Sequence, residues 1–179
     1  MLESLITSKT RIKLLLKFFL NSSTKAYLRG LEAEFGESTN AIRIELNRFE
    51  KAGLLTSHPE GNRKFFTANT THPLFPDIQS LMLKHLGIDQ LIDQVIEHLG
   101  EVQKVYLTGS FARGQESPNI EILLVGGAID TQYLEKIIAK AGKLIHKNII
   151  YHLMTVLQFD TDFAGTSHED LLLLWEQNN

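Results

Sequence analysis

The sequence predicts a mixed α/β (α+β) chain in two parts: a helical N-terminal part closed by a β-hairpin, and a C-terminal part in which helices cover a small mixed sheet. Three observations carry this reading. Apolar residues recur at helical spacing three times before residue 52, then occupy two short runs around a Pro/Gly/Asn turn. Farther on, strand-like apolar runs at 102–108, 120–125 and 148–157 alternate with helical segments. Charge divides at the same place, since residues 1–70 hold 11 Lys/Arg against 7 Asp/Glu whereas residues 71–179 hold 7 against 14. With 179 residues, 43% of them hydrophobic and 22% charged, the chain has material for one or two compact cores.

The first helix is expected over 9–20, with apolar residues at 12, 15, 16, 18, 19 and 20 and an exposed basic stripe of Lys9, Arg11, Lys13 and Lys17. Turn chemistry in 21–24 separates it from a second helix over 26–35, where Leu28, Leu31 and Phe35 share a face and Gly36 can end the helix in the left-handed conformation. Ser38 is a fitting N-cap for a third helix over 39–51. Its residues Ile42, Leu46 and Phe49 point inward, while Thr39, Asn40, Arg43 and Asn47, with Arg48 as a further candidate, stay outside; Gly53 ends it. Strands over 54–57 and 64–68 then flank the turn 58–63.

This order resembles the winged helix-turn-helix of small bacterial transcriptional regulators over roughly residues 8–70, and Glu50-Lys-Ala-Gly-Leu-Leu55 resembles the end of their recognition helix running into the first wing strand. The resemblance implies that double-stranded DNA is read in the major groove by Thr39, Asn40, Arg43 and Asn47. Arg63 and Lys64 on the wing would hold backbone phosphates, with Lys9, Lys25 and Arg29 as further phosphate candidates.

Two prolines in Thr71-His-Pro-Leu-Phe-Pro76 mark a hinge or docking segment. Helices over 78–86 and 90–99 follow, the second with Leu91, Ile92, Val95, Ile96 and Leu99 on one side. A strand over 102–108 runs into a turn over 109–114, a second strand covers 120–125, a helix covers 131–141, and a third strand covers 148–157. The boundaries expected are 1–72 for the DNA-binding domain, 73–100 for connecting helices and 101–179 for the C-terminal domain. A strand ending in Gly-Ser and a short helical turn gathers backbone N–H groups and a hydroxyl at one point, which suits phosphate. Asn119 and Glu121, two apart on the next strand, project from one face.

The stretch Leu107-Thr-Gly-Ser-Phe-Ala-Arg-Gly114 resembles the minimal nucleotidyltransferase signature, with Gly109, Ser110, Ala112, Arg113 and Gly114 matching. The family's Ser-Asp-Ile-Asp-Leu reads Pro118-Asn-Ile-Glu-Ile122 here, which puts Asn119 and Glu121 where two metal-binding aspartates stand. The third acid falls at Ile150, and Asp160 and Asp162 lie beyond that strand. The resemblance thus implies a degenerate metal site at Asn119, Glu121 and Ile150, with no catalytic residue and no bound metal. Any retained phosphate or nucleotide binding would rest on Gly109, Ser110 and Arg113.

The reading that follows is a cytoplasmic DNA-binding transcriptional regulator whose nucleotidyltransferase-like domain is a pseudoenzyme used for dimerisation or ligand sensing, needing no cofactor. One alternative is an active nucleotidyltransferase that uses magnesium and a nucleoside triphosphate to modify a protein, RNA or small molecule. A second is a protein-interaction module. A homodimer is expected, anchored by Leu171-Leu-Leu-Leu-Trp175 or by the helices over 78–99. Seven histidines, at 58, 72, 85, 98, 146, 152 and 168, lack zinc-site spacing. No apolar run approaches the ~20 residues of a membrane span, the N-terminus lacks secretory-signal features, and the absence of cysteine fits a reducing compartment.

Overall fold

The computed structural model describes residues 2–98, 100–163 and 170–177. Leu99 and His168 lie outside the described residues. The chain separates into two compact units, 1–85 and 86–179, and the described residues make a mixed α/β protein with two small sheets and eight α-helices.

In the first unit, Ser8 caps helix α1 (Lys9–Leu15) by accepting a hydrogen bond from the Arg11 N–H. The continuation Leu16–Leu20 is a π-helical turn, so the single helix expected over 9–20 is split in two. All five residues of that turn are buried, Phe18 and Phe19 completely. A regular helix with one core face does not bury such a run, and a wider turn changes the angular step between neighbours. Strand β1 (Lys25–Tyr27) precedes α2 (Leu28–Phe35), which ends at Gly36 with φ 62°. Helix α3 (Thr39–Lys51) starts on Ser38, whose hydroxyl accepts from the Ala41 N–H, and it buries Ile42, Leu46 and Phe49. The hairpin of β2 (Leu55–Glu60) and β3 (Arg63–Ala68) completes an antiparallel sheet in the order β1-β3-β2. Helix α4 (Phe75–Leu86) starts three residues earlier than expected, because Pro76 lies in its first turn, where a missing N–H breaks no helical bond.

The exposed basic stripe of α1 is not what forms. Arg11 makes two hydrogen bonds to Glu45, at 2.9 and 3.2 Å, and Arg48 binds the same carboxylate at 3.0 Å. Lys13 pairs with Glu37 at 3.0 Å, and Lys17, only 8% exposed, pairs with Glu34 at 2.9 Å. The long stems lie along apolar surface while their charged heads meet carboxylates of α2 and α3. Burial pushes the Glu45 carboxyl up, but the hydrogen bond and charge of Arg11 and the charge of Arg48 outweigh it and hold the group below its ordinary value. A depressed carboxylate contributes its stability in full above the ordinary pKa and loses it as pH falls through the folded value. Glu45→Gln should therefore lower unfolding free energy by about 1–3 kcal/mol near neutrality. In urea titrations the gap to the native chain should close as pH is taken below about 4.

The second unit opens with α5 (Ile88–His98) and β4 (Gly100–Thr108), followed by α6 (Gly109–Ala112) and β5 (Asn119–Ile129). Helix α7 (Thr131–Ile145) then crosses over to β6 (Asn148–Met154), and α8 (Val156–Asp162) leads to β7 (Leu172–Glu176). The sheet order is β6-β5-β4-β7, with β5 and β6 parallel and the other pairs antiparallel. On one face Leu123 and Val125 pack with Phe159 of α8, whose ring stacks on Tyr106 at 5.1 Å; Ile120, Ile122 and Leu124 are buried on the opposite side of β5. The third strand stops at Met154, not at 157, because Thr155 and Gln158 form a reciprocal capping box that starts α8. The apolar run ending in Trp175 forms edge strand β7, with Trp175 opposite Val105. No helix of the described residues is long and apolar enough to cross a membrane.

Candidate functional site

In the second unit the backbone brings four separated sequence positions to one place. Thr108 ends β4 opposite Glu121 of β5. Gly109 then turns the chain into α6 with φ +65°, and a Cβ built there would collide with the Glu121 carboxylate. Alternation along β5 puts Asn119 and Glu121 on one face, while Ile120 and Ile122 are buried on the other. The parallel register sets Ile150 of β6 opposite Glu121, and Asn148 opposite Asn119. The three positions where the resemblance expects acids are therefore adjacent, and they flank the Gly109–Ser110 turn.

Local contacts hold this arrangement. The Asn119 side-chain oxygen accepts from the Asn148 amide at 3.2 Å. Lys147 donates to the Ser117 carbonyl at 2.9 Å and lies 5.1 Å from the centroid of the buried Phe111 ring, tying the loop after α6 to the helix itself. The Asn148 N–H donates to the Pro118 carbonyl at 3.0 Å. Neither Lys147 nor Asn148 was legible as a site residue, because both act across a strand pairing that no local motif announces. Arg113 is exposed and pairs with Asp170 at 3.3 Å, and Ser110 is half-buried. Asp160 and Asp162 belong to α8 and stand outside β6.

The donor set is one carboxylate, one amide and one aliphatic side chain, and no group of three His, Asp or Glu side chains among the described residues could hold a metal. A two-metal cage, which needs carboxylates to bridge two ions, does not fit. A single carboxylate is within what one magnesium ion uses where substrate phosphates supply its other ligands.

In the first unit, Arg43, Asn47, Arg63 and Lys64 line a pocket of about 600 Å³ between α2, α3 and the hairpin. Of the other expected DNA-reading residues, Thr39 is half-buried and Asn40 exposed, and neither lines that pocket. Lys64 pairs with Glu50 at 2.8 Å, and this hydrogen bond, helped by one from Ser57, holds the Glu50 carboxyl below its ordinary range. Lys25 pairs with Glu60, and the Arg63 guanidinium lies 4.6 Å from the Tyr27 ring centroid.

No family model matches the chain, and no curated protein matches it. Among solved structures, a provisionally assigned nucleotidyltransferase from Sulfolobus solfataricus is 22% identical with a TM-score of 0.37, covering 55% of this chain and 84% of its own. Two mutants of the toxin-antitoxin MntA-HpeT are each 16% identical, with TM-scores of 0.39 and 0.38, covering 51% and 50% of this chain and 73% of theirs. The expectation of a DNA-binding transcriptional regulator is corrected here: the structures returned are of a nucleotidyltransferase and a toxin-antitoxin. Six cations of the first unit, Arg11, Lys13, Lys17, Lys25, Arg48 and Lys64, pair with its own carboxylates.

Proposed function

We propose that the C-terminal unit is a nucleotide site of the nucleotidyltransferase type, taking a nucleoside triphosphate with one magnesium ion and suited to moving a nucleotidyl group onto a hydroxyl acceptor. The observation that supports it is the Glu121 carboxylate standing against Gly109, with 119 and 150 beside it in register. Gly109 lets the Glu121 carboxylate stand against the turn, and the opening turn of α6 has N–H groups without helical acceptors, which suit phosphate oxygens. Glu121 would hold the magnesium together with those oxygens, and the ion would neutralise phosphate charge. Lys147 and Asn148 keep the loop and the Asn119 side chain in place. Nothing at 150 can take a proton from the acceptor hydroxyl, since Ile150 is apolar, so transfer by the native chain is slow.

Calorimetric titration of the full chain with ATP, GTP and CTP tests this, with and without magnesium. At least one nucleotide should bind in a magnesium-dependent way, and Glu121→Gln should weaken that binding by about tenfold. Absence of binding at about millimolar nucleotide, a weak affinity even for small ligands, would overturn the proposal.

For the N-terminal unit we read a winged helix. The support is the element order α1, α2, α3, β2, β3, with β1 adding a third strand to the hairpin.

A further inference from the structure

The first unit contains a second concave site with a different chemistry. Its floor is apolar, formed by Leu46 and Phe66, which are 1% and 4% exposed, with Tyr27 and Leu28 forming one wall. Gly30 helps to shape that wall, because a Cβ there would come within 3.1 Å of the Tyr27 ring. Around the rim stand Arg29, Arg43 and Arg63, all exposed. Among the described residues none of these three guanidiniums pairs with a carboxylate, in contrast to Arg11, Lys13, Lys17, Lys25, Arg48 and Lys64 of the same unit. A volume of about 600 Å³ is that of a pocket for a small organic molecule.

We propose that this pocket binds a small organic anion with a flat apolar body, an aryl or nucleoside phosphate or an aryl carboxylate. The apolar floor takes the body, and the arginines take the anionic group through charge-assisted hydrogen bonds. Three cations left unpaired around one hollow repel one another, and an anion relieves that repulsion while satisfying their donors. Arginine suits the role because its planar fork matches phosphate and carboxylate oxygens and it stacks on aromatic faces, as Arg63 already does on Tyr27. The aromatic walls add a preference for rings over simple ions.

The test uses the full chain at physiological salt, with NMR amide shifts of residues 27–29, 43–47 and 62–66 as the readout. Four probes separate charge from shape: phenyl phosphate, benzoate, inorganic phosphate and phenol. Phenyl phosphate or benzoate should saturate these shifts, and inorganic phosphate and phenol should each bind at least about tenfold more weakly. Arg43→Gln and Arg29→Gln, both on exposed helix surface, should each weaken the aryl anion by about tenfold while leaving the spectrum of the second unit unchanged. Glu121→Gln should leave this binding as it is, which separates the pocket from the proposed nucleotide site. The inference is overturned by a failure of both aryl anions to saturate, by equal affinity for inorganic phosphate, or by an affinity indifferent to Arg29 and Arg43.

Discussion

Introducing aspartate at both 119 and 150 should raise magnesium-dependent pyrophosphate release from a nucleoside triphosphate by about a hundredfold or more over the native chain. The backbone is already set for this change. Residues 119 and 121 share a face of β5, and parallel pairing sets 150 directly opposite 121. A carboxylate at 119 would keep the Asn148 amide as its donor, because the oxygen that accepts from it survives the substitution. A carboxylate at 150, on a side chain that is already 40% exposed, supplies the missing proton acceptor at little cost in burial. The control is Ile120→Asp, which puts the same charge one residue away at a fully buried position and should unfold the unit without activating it. If the doubly substituted chain folds and binds nucleotide but releases pyrophosphate no faster, the assignment of 119 and 150 as the vacant acidic positions fails.

Gly109→Ala carries the second large effect, and it acts by two separable routes. The first is conformational: φ is +65° at this residue, a region that costs an L-residue about 1 kcal/mol. The second is steric, since the added methyl falls on the Glu121 carboxylate. The substitution should lower unfolding free energy by about 1–3 kcal/mol and weaken nucleotide binding by more than about tenfold. Combining it with Glu121→Ala removes the collision and leaves the dihedral cost, so part of the stability should return while nucleotide binding does not. Paired urea and calorimetric titrations of the single and double variants measure both. Full nucleotide affinity in Gly109→Ala would show that the turn is not where the phosphates sit.

Helix α3 was legible to the residue because three local signals agree on it: a serine cap at 38, an amphipathic face of Ile42, Leu46 and Phe49, and a glycine two residues past its end. Strand β1 was not legible, since its three residues are extended only by virtue of pairing with 65–67 far along the chain. The run Val156-Leu157 has β-branched and apolar content that favours a strand, yet the Thr155 and Gln158 side chains close a helix start over it. Cation pairing was hidden for a similar reason. Nothing adjacent to Arg11 shows that Glu45 will approach it from another helix. At the candidate site, the alternation of β5 and the nucleotidyltransferase resemblance led to 109, 119, 121 and 150. Lys147 and Asn148 became visible only when the register of β6 was known.

Parallel pairing of β5 with β6 also sets how much chain a closure must span. Antiparallel neighbours can zip from a short turn, but a parallel neighbour must wait for a crossover, here the whole of α7. Residue 150 meets residue 121 through that crossover, a non-local closure of the sort that slows folding. The turn at Gly109 and the strand that carries Glu121 are separated by less chain, since residues 109–118 join β4 to β5 and residues 130–147 join β5 to β6. The closure that brings residue 150 to residue 121 thus spans more chain than the one that brings the Gly109 turn to Glu121.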